Sequence, residues 1–248
     1  MIKTKQVYRH IPNLFTSANI LCGCIAIVMV FQERPEFASL LIGLAAVFDF
    51  LDGMTARLLK AYSELGKQLD SLADMVSFGV APAVILFSLV ETVTETHHGF
   101  SEDSVLPVIL PYFAFLVAVF SGLRLAKFNI DTRQTDSFIG LATPANSIFI
   151  ASLPLIIAYQ DIMWINEIIQ SLWFLLPVTV VLSFLLISEI PMFSLKFKNL
   201  KLRDNYIRYI FIAVSVLLLL IIQYLAIPLI IVFYIIFSFV NNWLIKQS

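Results

Sequence analysis

Charge is scarce in this chain. Of its 248 residues only 13% are Asp, Glu, Lys or Arg, while 60% are hydrophobic; soluble domains carry roughly a quarter charged residues. No polar stretch is long enough to fold as a separate soluble domain, so residues 1–248 read as a single membrane domain. Cysteine is nearly absent as well. Cys22 and Cys24 are the two in the chain, and on a helix they point roughly 200° apart, which excludes a ligand pair and leaves inert thiols. An inverted repeat of the kind many transporters use is not visible. The net charge of −1 says nothing about partners before it is mapped onto loops, and no nucleic-acid partner is expected.

What abounds instead is apolar runs of about 20 residues, the length that crosses hydrocarbon. They predict about eight transmembrane helices, roughly 11–31, 37–60, 65–90, 105–127, 144–160, 168–190, 206–224 and 226–245. Each is helical because backbone facing lipid must satisfy its own hydrogen bonds. The expected fold class is an all-α integral membrane protein, with a basic segment at 1–10 and a basic cytoplasmic loop at 195–205. The run 11–31 exceeds a signal-peptide core and reads as the first helix. An even number of spans puts both termini on one side, and the basic residues test this: of sixteen Lys and Arg, all but Arg34 fall on the terminal side, as a cytoplasmic face requires. Glu33, Glu36, Glu91, Glu95, Glu102, Asp103, Asp161 and Glu167 fall on the other. At the last joint, Leu225, Ala226 and Pro228 must turn the chain within a few residues, or the final helix is kinked or re-entrant.

Against this background four acids stand out. Residues 49–74 read DFLDGMTARLLKAYSELGKQLDSLAD, placing Asp49, Asp52, Asp70 and Asp74 in helices otherwise built for lipid. A mid-helix acid costs about 2.5 to 3.5 kcal/mol on the insertion scale, so something cationic has to offset four of them. Asp49 and Asp52 are i and i+3 on one helix, and Asp70 and Asp74 are i and i+4 on the next. With a turn near Tyr62 and Ser63, a rise of about 1.5 Å per residue brings both pairs to one depth across an antiparallel hairpin. Gly53, Ala56 and Gly66, on or next to the same faces, remove bulk where a ligand approaches. Four hard oxygen ligands suit Mg²⁺ or Mn²⁺, and the lack of nearby His or Cys argues against zinc. Arg57, one turn beyond Gly53, is placed to meet a phosphate. Two other readings stay open at this point: a structural cluster with Arg57, Lys60 and Lys67, or a relay in an ion or proton transporter.

The order Asp-x2-Asp-Gly-x2-Ala-Arg-x8-Gly-x3-Asp-x3-Asp from Asp49 to Asp74 resembles the signature of the CDP-alcohol phosphatidyltransferases at every fixed position. The resemblance implies that Asp49, Asp52, Asp70 and Asp74 hold two divalent ions, that Gly53, Ala56 and Arg57 border the CDP moiety of the lipid donor, and that Asp74 also serves as the base. Residues 11–195 resemble the phosphatidylserine synthase branch through IPNLFTSANILCG at 11–23, SFGVAP at 77–82, GLRLAKFN at 122–129, GLATPA at 140–145 and SEIPMFS at 188–194. Ala142 stands where relatives often have Pro. This likeness implies transfer of a phosphatidyl group from CDP-diacylglycerol to L-serine, in a bacterial inner membrane with the site facing the cytoplasm, and a homodimer. The alternative acceptors are glycerol 3-phosphate and inositol phosphate, which would demand more cations around the pocket.

Serine carries a carboxylate and an ammonium, so its pocket needs a cation. Arg124 and Lys127 could supply it, or could snorkel to anionic head groups. Asn13, Thr16 and Asn19 form a polar stripe on the first helix that could bond the nucleotide or serve as glue between helices; Gly66 belongs with the donor-binding residues. Ser77, Asn129 and Pro144 lie in the resembling segments and would line the acceptor side. His97 and His98 read as solvated residues of the outer acidic loop. Lys196, Lys198, Lys201, Arg203 and Arg208 would anchor an interfacial segment to anionic lipid, each charge contributing about 1 kcal/mol.

Overall fold

The computed structural model describes residues 10–96, 104–131, 138–192 and 202–247. Two helices open the fold, α1 (Ile11–Phe31) and α2 (Pro35–Leu58), each with proline in its first turn, where a missing N–H costs nothing. They form an antiparallel hairpin, and Ala26, Ala38 and Ala45 are fully buried, small side chains that let helices approach closely. Lys60, with φ 50°, turns the chain after α2. Ser63 then caps α3 (Glu64–Asp74), its hydroxyl accepting from the Gly66 amide at 3.0 Å.

From α3 the chain continues through a π turn, Met75–Val80, into α4 (Ala81–Thr96). Pro82 has no N–H to give this turn, and the Ala81 amide reaches back five residues to the Val76 carbonyl. The extra residue is thus absorbed where proline already interrupts the ladder. The resulting rod, Glu64–Thr96, has 33 residues and is about 50 Å long at 1.5 Å per residue, against roughly 30 Å of hydrocarbon. Its first turns, which hold Glu64, Lys67 and Gln68, are the polar part.

Next come α5 (Leu106–Ile109), a 3-10 stretch (Leu110–Phe115) and α6 (Leu116–Ile130), then α7 (Thr143–Tyr159) and the pair α8 (Met163–Ile169) and α9 (Leu172–Ile187), bent by 59°. A two-residue antiparallel ladder absent from the sequence reading joins β1 (Phe138–Ile139) to β2 (Pro191–Met192). Beside it Gly140 takes φ 74°, and a Cβ there would lie 2.7 Å from the Leu186 carbonyl oxygen, so this turn accepts glycine alone. The last two helices are α10 (Leu202–Ile222), kinked at Asn205, and α11 (Ala226–Gln247). Gln223 (φ 48°) reverses the chain between them. The doubling back is direct, since the rings of Phe211 and Tyr234 lie 6.2 Å apart, and the Gln160 side chain ties the turn to the end of α7 by donating to the Ile222 carbonyl at 2.6 Å.

The protein is therefore a multi-pass all-α membrane protein, with one small ladder among the described residues. Among the described residues, five stretches are long and apolar enough to cross a membrane, or six if the bent pair α8–α9 counts as one span; the sequence predicts eight. The difference has two sources. With 17 residues α7 is shorter than a full span, and Arg208–Phe239 is one apolar stretch by length although its two halves fold against each other. The basic segment at 1–9, the loop histidines His97 and His98, the outer acids Glu102 and Asp103, Arg133, and Lys196, Lys198 and Lys201 of the basic loop lie outside the described residues.

Candidate active site

The acidic cluster forms where α2 and α3 both pack on α1. Helical spacing puts each aspartate pair on one face, and the cap at Ser63 fixes where α3 begins. One carboxylate oxygen each from Asp49, Asp70 and Asp74 lie within 4.8 Å of one another. Asp70 Oδ1 and Asp74 Oδ1 are buried without a hydrogen-bond partner in the chain. Such a set of orphaned acceptors is costly unless a cation fills it, and three hard oxygens at this spacing fit a divalent ion of the Mg²⁺ or Mn²⁺ type.

Asp52 stands apart from that trio. Its Oδ2 accepts from the Thr16 hydroxyl at 2.8 Å, so α1 clamps the fourth acid of the signature. A cleft of about 950 Å³ opens beside the cluster, and Asn13, Thr16, Asp52, Gly53, Ala56, Arg57 and Gly66, assigned above to the CDP-lipid, line it together with Asp49 and Asp70, whereas Asn19 is fully buried away from it. Asp74 is not among the lining residues. Arg57 Nε donates to the Gly53 carbonyl at 3.0 Å, which steadies the guanidinium at the cleft wall. A Cβ on Gly53 would come no closer to the chain than 4.0 Å from Arg57 Nη2, so the space it would occupy belongs to the cleft. Gly66 differs: its Cβ would stand 3.0 Å from Ser63 Oγ and 3.2 Å from Asn13 Oδ1, crowding both the helix cap and the cleft wall.

Of the five residues assigned to the acceptor side, Pro144 sits in the first turn of α7, and the other four divide. Ser77 is buried and donates to the Asn19 carbonyl at 2.9 Å; a Cβ on Gly23 would meet Ser77 Cα at 2.8 Å, so this serine sits in a backbone-to-backbone contact between α1 and the π turn. Asn129 ties α6 to α3, its amide donating to Ser71 Oγ at 2.9 Å and its carbonyl accepting from Lys67 Nζ at 3.3 Å. Lys127 pairs with Glu189 at 3.2 Å. Arg124 alone keeps unused capacity. Its Nη1 donates to Thr143 Oγ1 at 3.2 Å, its guanidinium lies over Phe128, and its Nε is buried without a partner.

Sequence reasoning missed Phe50, Tyr62 and Phe128 of the cleft wall; an aromatic at a membrane helix end carries no signal of its own. It also missed Ser121, Asn146 and Ser147, polar residues in apolar helices that are fully buried here. For these a signal existed, since a polar side chain inside a membrane helix needs a reason.

The profile of the family described as CDP-alcohol phosphatidyltransferase matches residues 9–185, a stretch that contains all four aspartates and the whole cleft, and the chain belongs to that family. Its relatives are more particular. It is 36% identical over 135 residues to the CDP-diacylglycerol–serine O-phosphatidyltransferase of Bacillus subtilis, covering 54% of this chain and 70% of that one. With the enzyme of the same name from Mycobacterium leprae it shares 35% over 190 residues, 73% of this chain and 57% of the relative. An archaetidylserine synthase from Methanothermobacter thermautotrophicus is 31% identical over 170 residues, 65% of this chain and 66% of the relative.

Proposed function

We propose that this protein transfers the phosphatidyl group of CDP-diacylglycerol to the hydroxyl of L-serine, giving phosphatidylserine and CMP. The observation that carries the reading is the carboxylate trio of Asp49, Asp70 and Asp74 at the edge of a cleft whose walls are the signature residues. The names of the relatives support serine as the acceptor.

Asp49, Asp70 and Asp74, with Asp52 beside them, would hold two divalent ions, which supply positive charge against the diphosphate and the departing CMP. Thr16 orients Asp52 toward the site. Arg57 offers a fixed guanidinium to a donor phosphate, and Gly53 and Ala56 leave room for the nucleotide. Asp74, at the inner end, takes the proton of the serine hydroxyl as its oxygen attacks the lipid phosphorus. The new P–O bond forms as the bond to CMP breaks, in line. Arg124, whose buried Nε has no partner, meets the serine carboxylate. Eight spans with both termini cytoplasmic complete the reading, supported by the one-sided distribution of Lys and Arg and by the fold-back of α11 on α10. The site then faces the cytoplasm, where serine is available.

Purified protein with CDP-diacylglycerol, Mn²⁺ and labelled serine tests this. CMP and labelled lipid should appear in equal amounts. Release of CMP that does not depend on serine but starts on adding glycerol 3-phosphate would replace the acceptor, and no CMP with any alcohol would end the transferase reading.

A further inference from the structure

One turn into α7 the chain buries polar groups that it does not use. Asn146 is fully buried, and neither its amide nitrogen nor its amide oxygen has a hydrogen-bond partner; Ser147 Oγ is in the same state. Thr143, Asn146 and Ser147 are i, i+3 and i+4, so they share a face of the helix, and Thr143 is the residue that Arg124 Nη1 reaches at 3.2 Å. On α6, Ser121 lies one turn before Arg124 and is also buried and unpartnered. It packs on the π turn that follows Asp74: a Cβ on Gly79 would stand 3.2 Å from Ser121 Cβ. Arg124 itself is 8% exposed, with Nε unpartnered. Orphaned donors and acceptors from α6 and α7 thus flank Arg124, which is itself one of them.

Buried amides of native proteins are almost always hydrogen-bonded, and in a membrane interior the cost of leaving one unpaired is greater still. An apolar residue at position 146 would fill the same space without that cost, so the amide calls for a polar guest. The guest must offer both an acceptor and a donor, because both ends of the amide are open, and it must carry negative charge for Arg124. An amino acid meets these demands; an alcohol with neither carboxylate nor ammonium does not.

We infer that Asn146 is a specificity-determining residue of the acceptor site. Resting on the serine-transfer reading above, the arrangement has Asn146 Nδ2–H and Arg124 Nε–H donate to the acceptor's carboxylate, while Asn146 Oδ1 accepts from its ammonium and the hydroxyl is left toward Asp74. A site that hydrogen-bonds a group rejects analogues lacking it, because its own buried groups are then stranded.

The test uses the full chain in detergent with Mn²⁺, following CMP release while serine and CDP-diacylglycerol are varied in turn, for the wild type, Asn146→Ala and Asn146→Ser. Asn146→Ala should raise KM for serine by about tenfold or more and leave KM for CDP-diacylglycerol within about twofold. Asn146→Ser, which restores one hydrogen-bonding group, should fall between. An unchanged KM for serine, or an equal rise in both constants, overturns the inference and leaves Asn146 holding buried water or packing helices. Thermal unfolding identifies a variant that fails to fold; if that is Asn146→Ala, the two constants of Asn146→Ser decide alone. A wild-type protein that does not respond to serine overturns the serine-transfer reading and this inference with it, whereas a serine-dependent wild type with an unaffected variant overturns this inference only.

Discussion

Replacing Thr16 by Val keeps the branched shape and removes one hydroxyl, whose two acceptors are Asp52 Oδ2 at 2.8 Å and, within its own helix, the Pro12 carbonyl at 3.1 Å. Thr16 Oγ1 donates to Asp52 Oδ2 at 2.8 Å, between residues that are 3% and 6% exposed. A hydrogen bond to a charged group contributes about 1.5 to 3 kcal/mol, which at 1.4 kcal/mol per factor of ten converts to roughly 10- to 150-fold. Without it Asp52 loses its side-chain partner on α1 and keeps only the backbone hydrogen bond from Gly53. The expected outcome of Thr16→Val is a fall of that size in kcat/KM for CDP-diacylglycerol, measured as serine-dependent CMP release at saturating Mn²⁺. Thr16→Ser keeps the hydroxyl and should recover most of the loss. If Thr16→Val matches the wild type, Asp52 does not depend on α1 for its position, and the account of how the signature's second aspartate is held is wrong.

Asn in place of Asp49, Asp70 or Asp74 should each lower turnover by at least about 100-fold and raise the Mn²⁺ concentration needed for half activity, with chelation by EDTA abolishing the wild-type rate and added Mn²⁺ restoring it. Gly23→Ala places a Cβ 2.8 Å from Ser77 Cα and should destabilise the fold by about 1 to 3 kcal/mol, read as a lower melting temperature in detergent. Gly43→Ala, with nothing within 4 Å of the new Cβ, should leave that temperature unchanged. Lys127→Ala breaks a pair whose side chains are 41% and 69% exposed; such pairs contribute under about 1 kcal/mol, so KM for serine should stay within about twofold, in contrast to Arg124→Ala, which should raise it strongly.

The sequence by itself determined the membrane class and the candidate acids. Both follow from short-range rules: apolar run length, and a helical period that assigns Asp49, Asp52, Asp70 and Asp74 to faces without knowledge of any neighbour. It could not show that Thr16 holds Asp52 outside the carboxylate trio, that Ser77 and Asn129 are taken up by contacts between helices, or that Asn146 is left without a partner. The reversal between α10 and α11 it did place, within a few residues of Gln223, but it left a kinked or re-entrant final helix open. Only the tertiary structure decided these points, because whether a polar atom is spent or available depends on helices that arrive from distant parts of the chain, and composition within a helix carries no record of them.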